Sequence, residues 1–191
     1  MTPRFSLQAR VVALSACAAF VTSAWSVGAL AQTNAVGASE TTGQQLSAGD
    51  EEFVQNAGEA GATEIAASRL ALKQSQNAQV RQFAQRMIQD HTRLAHDLSA
   101  VAARKGVTVE PQPDGQLIGK LKTLKGKTFD QAYVEQVALE GHEQAVQLFQ
   151  DESHGGTDPD LKNAAAKALP TIEHHLEMAK QLTAATVKGS S

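Results

Sequence analysis

The sequence predicts an all-α domain, a four-helix bundle with a long connection between its second and third helices. Three observations support this fold class. From residue 50 onward, four long segments carry apolar residues at helical spacing. Glycine and proline mark the ends of several of these segments, and a proline-containing stretch at 106–127 separates the second from the third. The length of 191 residues suits one ordinary domain.

Residues 1–31 predict an export signal. Arg4 and Arg10 precede an apolar run that contains no acidic residue, and Ala29-Leu30-Ala31 has the form of a cleavage site. Cleavage after Ala31 would give a periplasmic or secreted protein with no stable transmembrane helix. The alternative is lipoprotein processing before Cys17, which would leave a lipid-anchored protein. Cleavage is favoured because only six residues lie between Arg10 and Cys17, which is short for the apolar part of a signal.

The composition of the remaining chain excludes several classes of function. Cys17 is the only cysteine, so a cleaved protein has no disulfide and no thiol chemistry. Removing Arg4 and Arg10 from the 17 basic residues leaves 15, against 20 acidic residues, and hence a net charge of −5. This excess of negative charge argues against nucleic acid as a partner. The sequence does not indicate a protein partner or an oligomeric state.

The order of segments follows from their composition and from helix-end signals. Residues 32–49 are small and polar and predict a disordered tether, 50–185 form the bundle, and 186–191 form a flexible tail. Asp50 is predicted to cap the first helix, which runs to about Ser75, and Asn77 the second, which stops at Gly106. A capping box of Thr128 and Gln131 predicts the start of the third helix. The fourth begins with Asp158 as cap and Pro159 at the first helical position, and it runs to about Ala184.

The connection at 106–127 is predicted to run along the whole bundle. Pro111 and Pro113 favour extended backbone in its first part, and residues 116–124 favour a short helix. A stretch of this length spans up to about 70 Å when extended, whereas a 26-residue helix is only about 39 Å long. The pattern is that of bundles with one long crossover.

The second and fourth helices each have a regular apolar seam that is interrupted by one histidine. Spacings of four and three alternate along both seams, as in helices packed into a bundle. His91 lies in the middle of one seam and His175 in the middle of the other. The members are Val80, Ala84, Met87, His91, Leu94, Leu98 and Val101 in the second helix, and Leu161, Ala165, Ala168, Ile172, His175, Ala179 and Leu182 in the fourth.

The first and third helices add Glu64 and His142 at corresponding positions. Glu64 interrupts a seam of small residues, and His142 lies on one face with Val134, Ala138 and Phe149. The midpoints of four similar helices lie at the same height whichever way each helix runs. We therefore expect Glu64, His91, His142 and His175 to meet in one layer of the core.

Two hypotheses explain such a layer. Three imidazoles and a carboxylate form a suitable ligand set for Zn, Fe, Mn or Cu, with Asp90 as an outer hydrogen-bond partner at a helix interface. Alternatively, the four side chains satisfy one another and fix the helix register without any ligand. Periodicity does not choose between these hypotheses. His96, His154 and His174 fall off the seams and are predicted to lie on the surface.

Three sequence motifs resemble the bacterial family labelled domain of unknown function 4142. They are the runs 83–91 (FAQRMIQDH), 129–133 (FDQAY) and 169–176 (LPTIEHHL), and the resemblance spans about 50–184. It implies a ferritin-like four-helix bundle that is usually exported and has no established activity. It also implies that the motif histidines of the family correspond to His91, His142 and His175, and its glutamate to Glu64.

The resemblance to ferritin-like di-iron proteins does not extend to their chemistry. Those proteins use a Glu-x-x-His pair on two helices, whereas Ile88 precedes His91 and Ile172 precedes His175 by three residues. Three classes of function remain. They are an exported metal-binding protein, an envelope stress or interaction protein in which the layer is structural or senses pH, and, as the weakest hypothesis, a metal-dependent enzyme.

Overall fold

The computed structural model describes residues 45–188, and all regular secondary structure in this range is helical. The elements are α1 (Ala48–Gln74), α2 (Ala78–Arg104), α3 (Gly115–Thr123), α4 (Gly126–Ala132), a π-helix (Tyr133–Leu139), α5 (Glu140–Gly155) and α6 (Pro159–Lys188). The element α4, the π-helix and α5 follow one another without a break, and we call them together the third helix. The predicted all-α bundle with a long connection between its second and third helices is confirmed.

The predicted signal segment, most of the predicted tether and residues 189–191 of the predicted tail lie outside the described residues. The end of the tether is already part of the bundle, because Leu46 is buried in the core and α1 begins at Ala48. At the other end α6 continues to Lys188, beyond the predicted limit of the domain. Within residues 45–188, no helix combines the length and the hydropathy that crossing a membrane requires.

Two of the predicted helix caps are present, and a third is displaced. Asn77 Oδ1 accepts hydrogen bonds from the backbone of Gln79 and Val80, and Asp158 Oδ1 caps α6 in the same way. Ser47, not Asp50, caps α1. Asp50 is the third residue of that helix and completes a capping box with Ser47. The sequence signal was therefore three residues too late.

The capping box predicted at the start of the third helix was wrong. No side chain caps this helix at Lys125, and Thr128 and Gln131 lie inside α4 rather than at its start. Gly126 has a φ of 53°, so the chain turns directly from α3 into α4 through a conformation that glycine adopts without strain. The π-helix at Tyr133–Leu139 was not predicted either. Its wider turn keeps Val134, Ala138 and His142 on one face at spacings of four.

The contacts at the two ends of the bundle define the direction of each helix. At one end the start of α1 meets the start of α6, where Thr157 N donates to Asp50 Oδ1 at 2.9 Å. The end of α2 is at the same end of the bundle, because Lys105 Nζ lies 2.8 Å from Asp158 Oδ2. The connection then runs to the other end, where Gln74 Nε2 donates to the carbonyl of Leu121. The order is up, down, down, up, with α2 parallel to the third helix.

Two larger apolar clusters lie toward the two ends of the bundle, and a third, smaller one contains Ala145, Ala168 and Ile172. One of the larger clusters contains Phe83, Phe129 and Tyr133, and the other contains Phe53, Leu98 and Leu161. Each fully buried large apolar side chain contributes about 1.5–3 kcal/mol to the free energy of unfolding. The two clusters hold the helices on either side of a polar layer at mid-height. This polar layer is the candidate site.

Candidate metal centre

The structure brings Glu64, His91, His142 and His175 together at mid-height of the bundle. They come from α1, α2, α5 and α6, and each has at most 4% of its surface exposed. The ring centroids of the three histidines are 5.2–5.4 Å apart in all three pairs. One ring nitrogen from each histidine lies within 4.8 Å of the other two. The four side chains therefore share one layer of the core.

The helical seams explain why these side chains face inward. His91 follows Met87 by one turn on α2, and His175 follows Ile172 on α6, and both apolar neighbours are buried. His142 follows directly on the π-helix. Single π-helical turns inside α-helices often occur at functional sites, because they change the facing of the residues beyond them. The sequence pattern of the third helix was irregular for this reason.

Glu64 contacts two of the histidines. Its Oε2 lies 2.8 Å from Nδ1 of His91, and its Oε1 lies 3.5 Å from Nδ1 of His142. The first distance is that of a hydrogen bond, and the second is longer than one. Glu64 thus holds the ring of His91 through one oxygen, while its other oxygen has no hydrogen-bond partner.

Asp90 holds the third histidine. Its Oδ2 lies 3.0 Å from Nε2 of His175, across the interface of α2 and α6. Arg86 donates to the same oxygen at 2.7 Å, and Arg93 lies 3.5 Å from the other oxygen. Asp90 is buried, in the position expected for an outer partner. By contrast His96, His154 and His174 are exposed, as their positions off the seams predicted.

The three imidazoles have buried nitrogens without hydrogen-bond partners. These are Nε2 of His91, Nδ1 of His175 and both nitrogens of His142, although the backbone of Val137 and Ala138 lies close enough to influence the His142 pKa. In His91 and His175 the opposite nitrogen is the one that faces a carboxylate. A carboxylate behind a histidine fixes the tautomer and directs the other nitrogen, as in metal centres where a carboxylate supports a ligand histidine.

The charges of the layer follow from burial and from the two carboxylates. Burial raises the pKa of Glu64, but its interactions with His91 and His142, together with the hydrogen bond from His91, outweigh burial and bring the pKa below its usual value. Burial lowers the pKa of His91, but the Glu64 carboxylate outweighs burial and raises it. Each of these two buried groups therefore favours the charged form of the other.

The other two histidines are neutral at pH 7. Burial lowers the pKa of His142, and it lowers the pKa of His175 to about 4 despite the nearby Asp90 carboxylate. Burial raises the pKa of Asp90, but hydrogen bonds from His175 and Arg86 outweigh burial and lower it. An ionised Asp90 accepts the Nε2 proton of neutral His175, which leaves a lone pair on Nδ1.

The donor set fits a transition-metal ion. Zinc binds imidazole nitrogens at about 2.0–2.1 Å, so the nitrogens around a tetrahedral ion lie roughly 3.3–3.4 Å apart. Binding would require the three nitrogens, now up to 4.8 Å apart, to move closer together. Three imidazole ligands with one further position are typical of a catalytic site rather than a closed structural one.

Sequence reasoning missed two features next to the layer. Tyr133 and Ser68 share a buried hydrogen bond of 2.8 Å between their hydroxyl groups, and the Glu64 charge together with burial raises the Tyr133 pKa. Gly141 precedes His142, and a Cβ at this position would lie 3.8 Å from Glu64 Oε1. A glycine inside a predicted helix, next to a candidate ligand, could have indicated from the sequence that this position matters for the site.

Comparison with known families identifies the chain. The sequence profile of DUF4142, a domain of unknown function, matches residues 35–182. The chain belongs to the DUF4142 family. In this DUF4142 chain the three matched motifs carry His91, Asp90, Tyr133 and His175, all of which lie in or beside the layer.

One solved structure has a similar fold. The crystal structure of a DUF305 fragment from Deinococcus radiodurans matches with a TM-score of 0.63 and 16% sequence identity, and the match covers 72% of this chain and 97% of that chain. At this identity the likeness concerns the fold alone. None of the curated protein sequences matches this DUF4142 chain.

Proposed function

We propose that this DUF4142 protein binds a divalent transition-metal ion at the layer, with His91, His142 and His175 as ligands. The observation that carries the proposal is that three buried histidines bring one ring nitrogen each within 4.8 Å of the other two, while each ring has a buried nitrogen without a side-chain hydrogen-bond partner. A buried polar atom without a partner costs about 1–3 kcal/mol. A metal ion would satisfy one nitrogen of each ring at once.

In this proposal Glu64 and Asp90 orient two of the ligand histidines. Each contacts one nitrogen of a histidine and leaves the other free for the ion, through Nε2 of His91 and Nδ1 of His175. Glu64 Oε1 remains without a partner, so Glu64 can also supply the fourth ligand, as its position in the sequence first suggested. Binding would displace the proton of His91, because a ligand imidazole must be neutral.

In this proposal the protein binds and holds the ion, and no reaction is assigned to it. Within residues 45–188 the only cluster of three or more potential metal ligands is the one formed by the histidines. The up, down, down, up order with one long crossover supports a ferritin-like fold. However, Ile88 and Ile172 replace the glutamates of a di-iron site, so we propose fold kinship without di-iron chemistry.

Export is part of the proposed function. The charged start, the apolar run and Ala29-Leu30-Ala31 support a cleaved signal and a periplasmic or secreted location, with lipid anchoring at Cys17 as the alternative. Determining the amino terminus of the protein isolated from cells distinguishes the two. We expect Gln32, and an acylated Cys17 would contradict it.

Metal analysis of the purified protein tests metal binding. We expect about one ion per chain in the wild type and its loss in His91→Gln, His142→Gln and His175→Gln, whereas His174→Gln is the matched control, because His174 is exposed. Saturating metal at about 100 times Kd should add about 2.7 kcal/mol to the free energy of unfolding. This raises Tm by roughly 2–4 °C per kcal/mol. Circular dichroism verifies that each variant is folded.

A second candidate function is favoured by the two carboxylate contacts. Glu64 and Asp90 already bond to His91 and His175, so the layer can instead fix the helix register of a metal-free stress or interaction protein. A wild-type protein that carries no metal, and whose Tm does not change on addition of Zn²⁺, Cu²⁺, Mn²⁺ or Fe²⁺, would establish this second candidate and reject the first.

A further inference from the structure

A polar cleft of about 390 Å³ lies between α1 and the third helix, directly above Glu64. Asp114 and Leu117 of the long connection cover one side of it. Thr63 anchors that side, because its hydroxyl accepts a 2.8 Å hydrogen bond from the backbone of Asp114. Besides Asp114, the polar lining residues are Asn56, Glu59, Thr63, Glu64, Gln136 and Gln144.

A second, much smaller cavity lies on the other side of Glu64. It measures about 30 Å³ and is lined by His91 together with apolar residues such as Ile172. This is enough room for one small ion or water molecule. Ala60, Glu64 and Ala145 line both spaces. The Glu64 carboxylate and two methyl groups therefore stand between the cleft and the small cavity at His91.

The two oxygens of Glu64 face different surroundings. Oε2 holds the His91 ring, whereas Oε1 is buried, has no hydrogen-bond partner and lies beside Gly141 of the cleft wall. A glycine inside a helix costs roughly 0.5–1 kcal/mol relative to alanine. A Cβ at position 141 would lie 3.8 Å from Oε1. The glycine therefore leaves the cleft side of this buried oxygen without a side chain.

The charges around the cleft favour cations. Glu59 and Asp114 are acidic, no lysine or arginine is among the residues that line it, and Lys120 reaches only its edge, through Gln136. The groove between α2 and α6 differs. It measures about 540 Å³, and its lining includes Arg93, Arg104 and Lys167 together with two acidic residues. A cation approaching the histidines is attracted on the first side and opposed on the second.

We propose that the cleft between α1 and the third helix is the path by which a divalent transition-metal ion reaches the three histidines. Glu64 Oε1 is the first ligand that the ion meets inside the bundle, and Gly141 keeps that oxygen open. This inference rests on the proposed metal function and adds the route of uptake and the residues that control its rate.

The rate of Co²⁺ uptake by the purified protein tests the path. Rapid mixing with Co²⁺, followed by its visible absorbance, gives the loading rate, and a separate titration gives Kd. Gly141→Leu should load about tenfold more slowly, a change of about 1.4 kcal/mol in barrier, with Kd unchanged. A Cβ at position 141 makes only ordinary contacts, at 3.6 and 3.8 Å, and circular dichroism verifies that Gly141→Leu folds. Gly119→Leu, at an exposed position on α3, is the matched control and should load at the wild-type rate.

A pair of charge variants tests the direction of approach. Glu59→Gln with Asp114→Asn should slow loading about tenfold at low salt, and the difference should vanish at high salt, because steering is screened. Asparagine retains the capping of α3 by residue 114. Asp97→Asn with Asp160→Asn removes the same charge from the opposite groove and should leave the rate unchanged.

The remaining outcomes separate failure of the path from failure of the proposed function. A wild-type protein that never takes up Co²⁺ rejects the proposed function and this path together. Equilibrium binding with an unchanged rate in Gly141→Leu rejects the path alone. The path is also rejected if the Asp97 and Asp160 pair slows loading instead, or if Gly141→Leu weakens Kd without slowing uptake.

Discussion

Asp90 and His175 are 85 positions apart in the chain, and their side chains meet with Oδ2 and Nε2 at 3.0 Å. The contact crosses the interface of two antiparallel helices and fixes which nitrogen of His175 carries its proton. Nδ1 is then left as a buried nitrogen with a lone pair and no hydrogen-bond partner. The orientation of one candidate ligand thus depends on a residue that is not itself a ligand.

Replacing Asp90 by asparagine should weaken metal binding without removing a ligand. The amide carries no charge and can donate to Nε2, which favours the tautomer with the proton on Nδ1. Loss of such outer partners typically costs 10–100-fold in metal affinity. Titration with Zn²⁺ measures the change. Asp97→Asn, an exposed aspartate on the same helix, is the control, and equal affinity in both variants would contradict a positioning role for Asp90.

Replacing Glu64 by glutamine should reverse the pKa shift of His91 in the metal-free protein. The Glu64 carboxylate raises this pKa against the effect of burial, and with glutamine only the weaker effect of the Asp90 charge opposes burial. The folded pKa should therefore change from above 6.5 to below it. Imidazole proton signals followed by NMR across the pH range report the change. A pKa that stays above 6.5 in the variant would show that another group charges His91.

Replacing Glu152 by glutamine should stabilise the protein at pH 8. Burial, together with the charge of Asp50, raises the pKa of Glu152 to about 7. A folded pKa above the unfolded value of 4.5 means that the stabilising contribution is present at low pH and is lost as pH rises through about 7. The charge is therefore unfavourable at pH 8, by about 1–2 kcal/mol after solvent screening.

Urea unfolding of this variant at pH 5 and pH 8 measures the difference. Glu152→Gln should be more stable than the wild type at pH 8, and the gain should shrink toward pH 5. Glu173→Gln, at an exposed position of α6, is the control and should follow the wild type at both values. A gain for Glu152→Gln that is the same at both pH values would contradict the titration of Glu152.

The buried hydrogen bond between Tyr133 and Ser68 should behave as a coupled pair. Tyr133→Phe leaves the Ser68 hydroxyl buried without its partner, at a cost of about 1–3 kcal/mol in the free energy of unfolding. Tyr133→Phe with Ser68→Ala removes both polar groups and should recover part of that loss. A double-mutant cycle in urea measures the coupling. Strictly additive losses would show that the two hydroxyls do not support one another.

The sequence predicted the layer from the seams of the second and fourth helices. When apolar residues alternate at spacings of four and three, only one face of the helix can point into the core. His91 and His175 therefore lie where the pattern placed them, and every seam residue is at least partly buried. The third helix was harder to interpret, because the π-helix before His142 changes the residue spacing per turn. The capping errors at Asp50 and Thr128 have a related cause, since a polar residue near a helix start fits several cap positions equally well.

The sequence by itself determined that the chain forms a bundle of long helices and that four ionisable residues replace apolar ones at mid-helix. Both conclusions rest on local periodicity, which requires no knowledge of neighbouring helices. Only the tertiary structure decided that Glu64 bonds to His91, that Asp90 bonds to His175, and that an acidic cleft reaches the layer past Gly141. These relationships depend on distances between residues that are remote in sequence, and on small rotations of helices that periodicity does not encode.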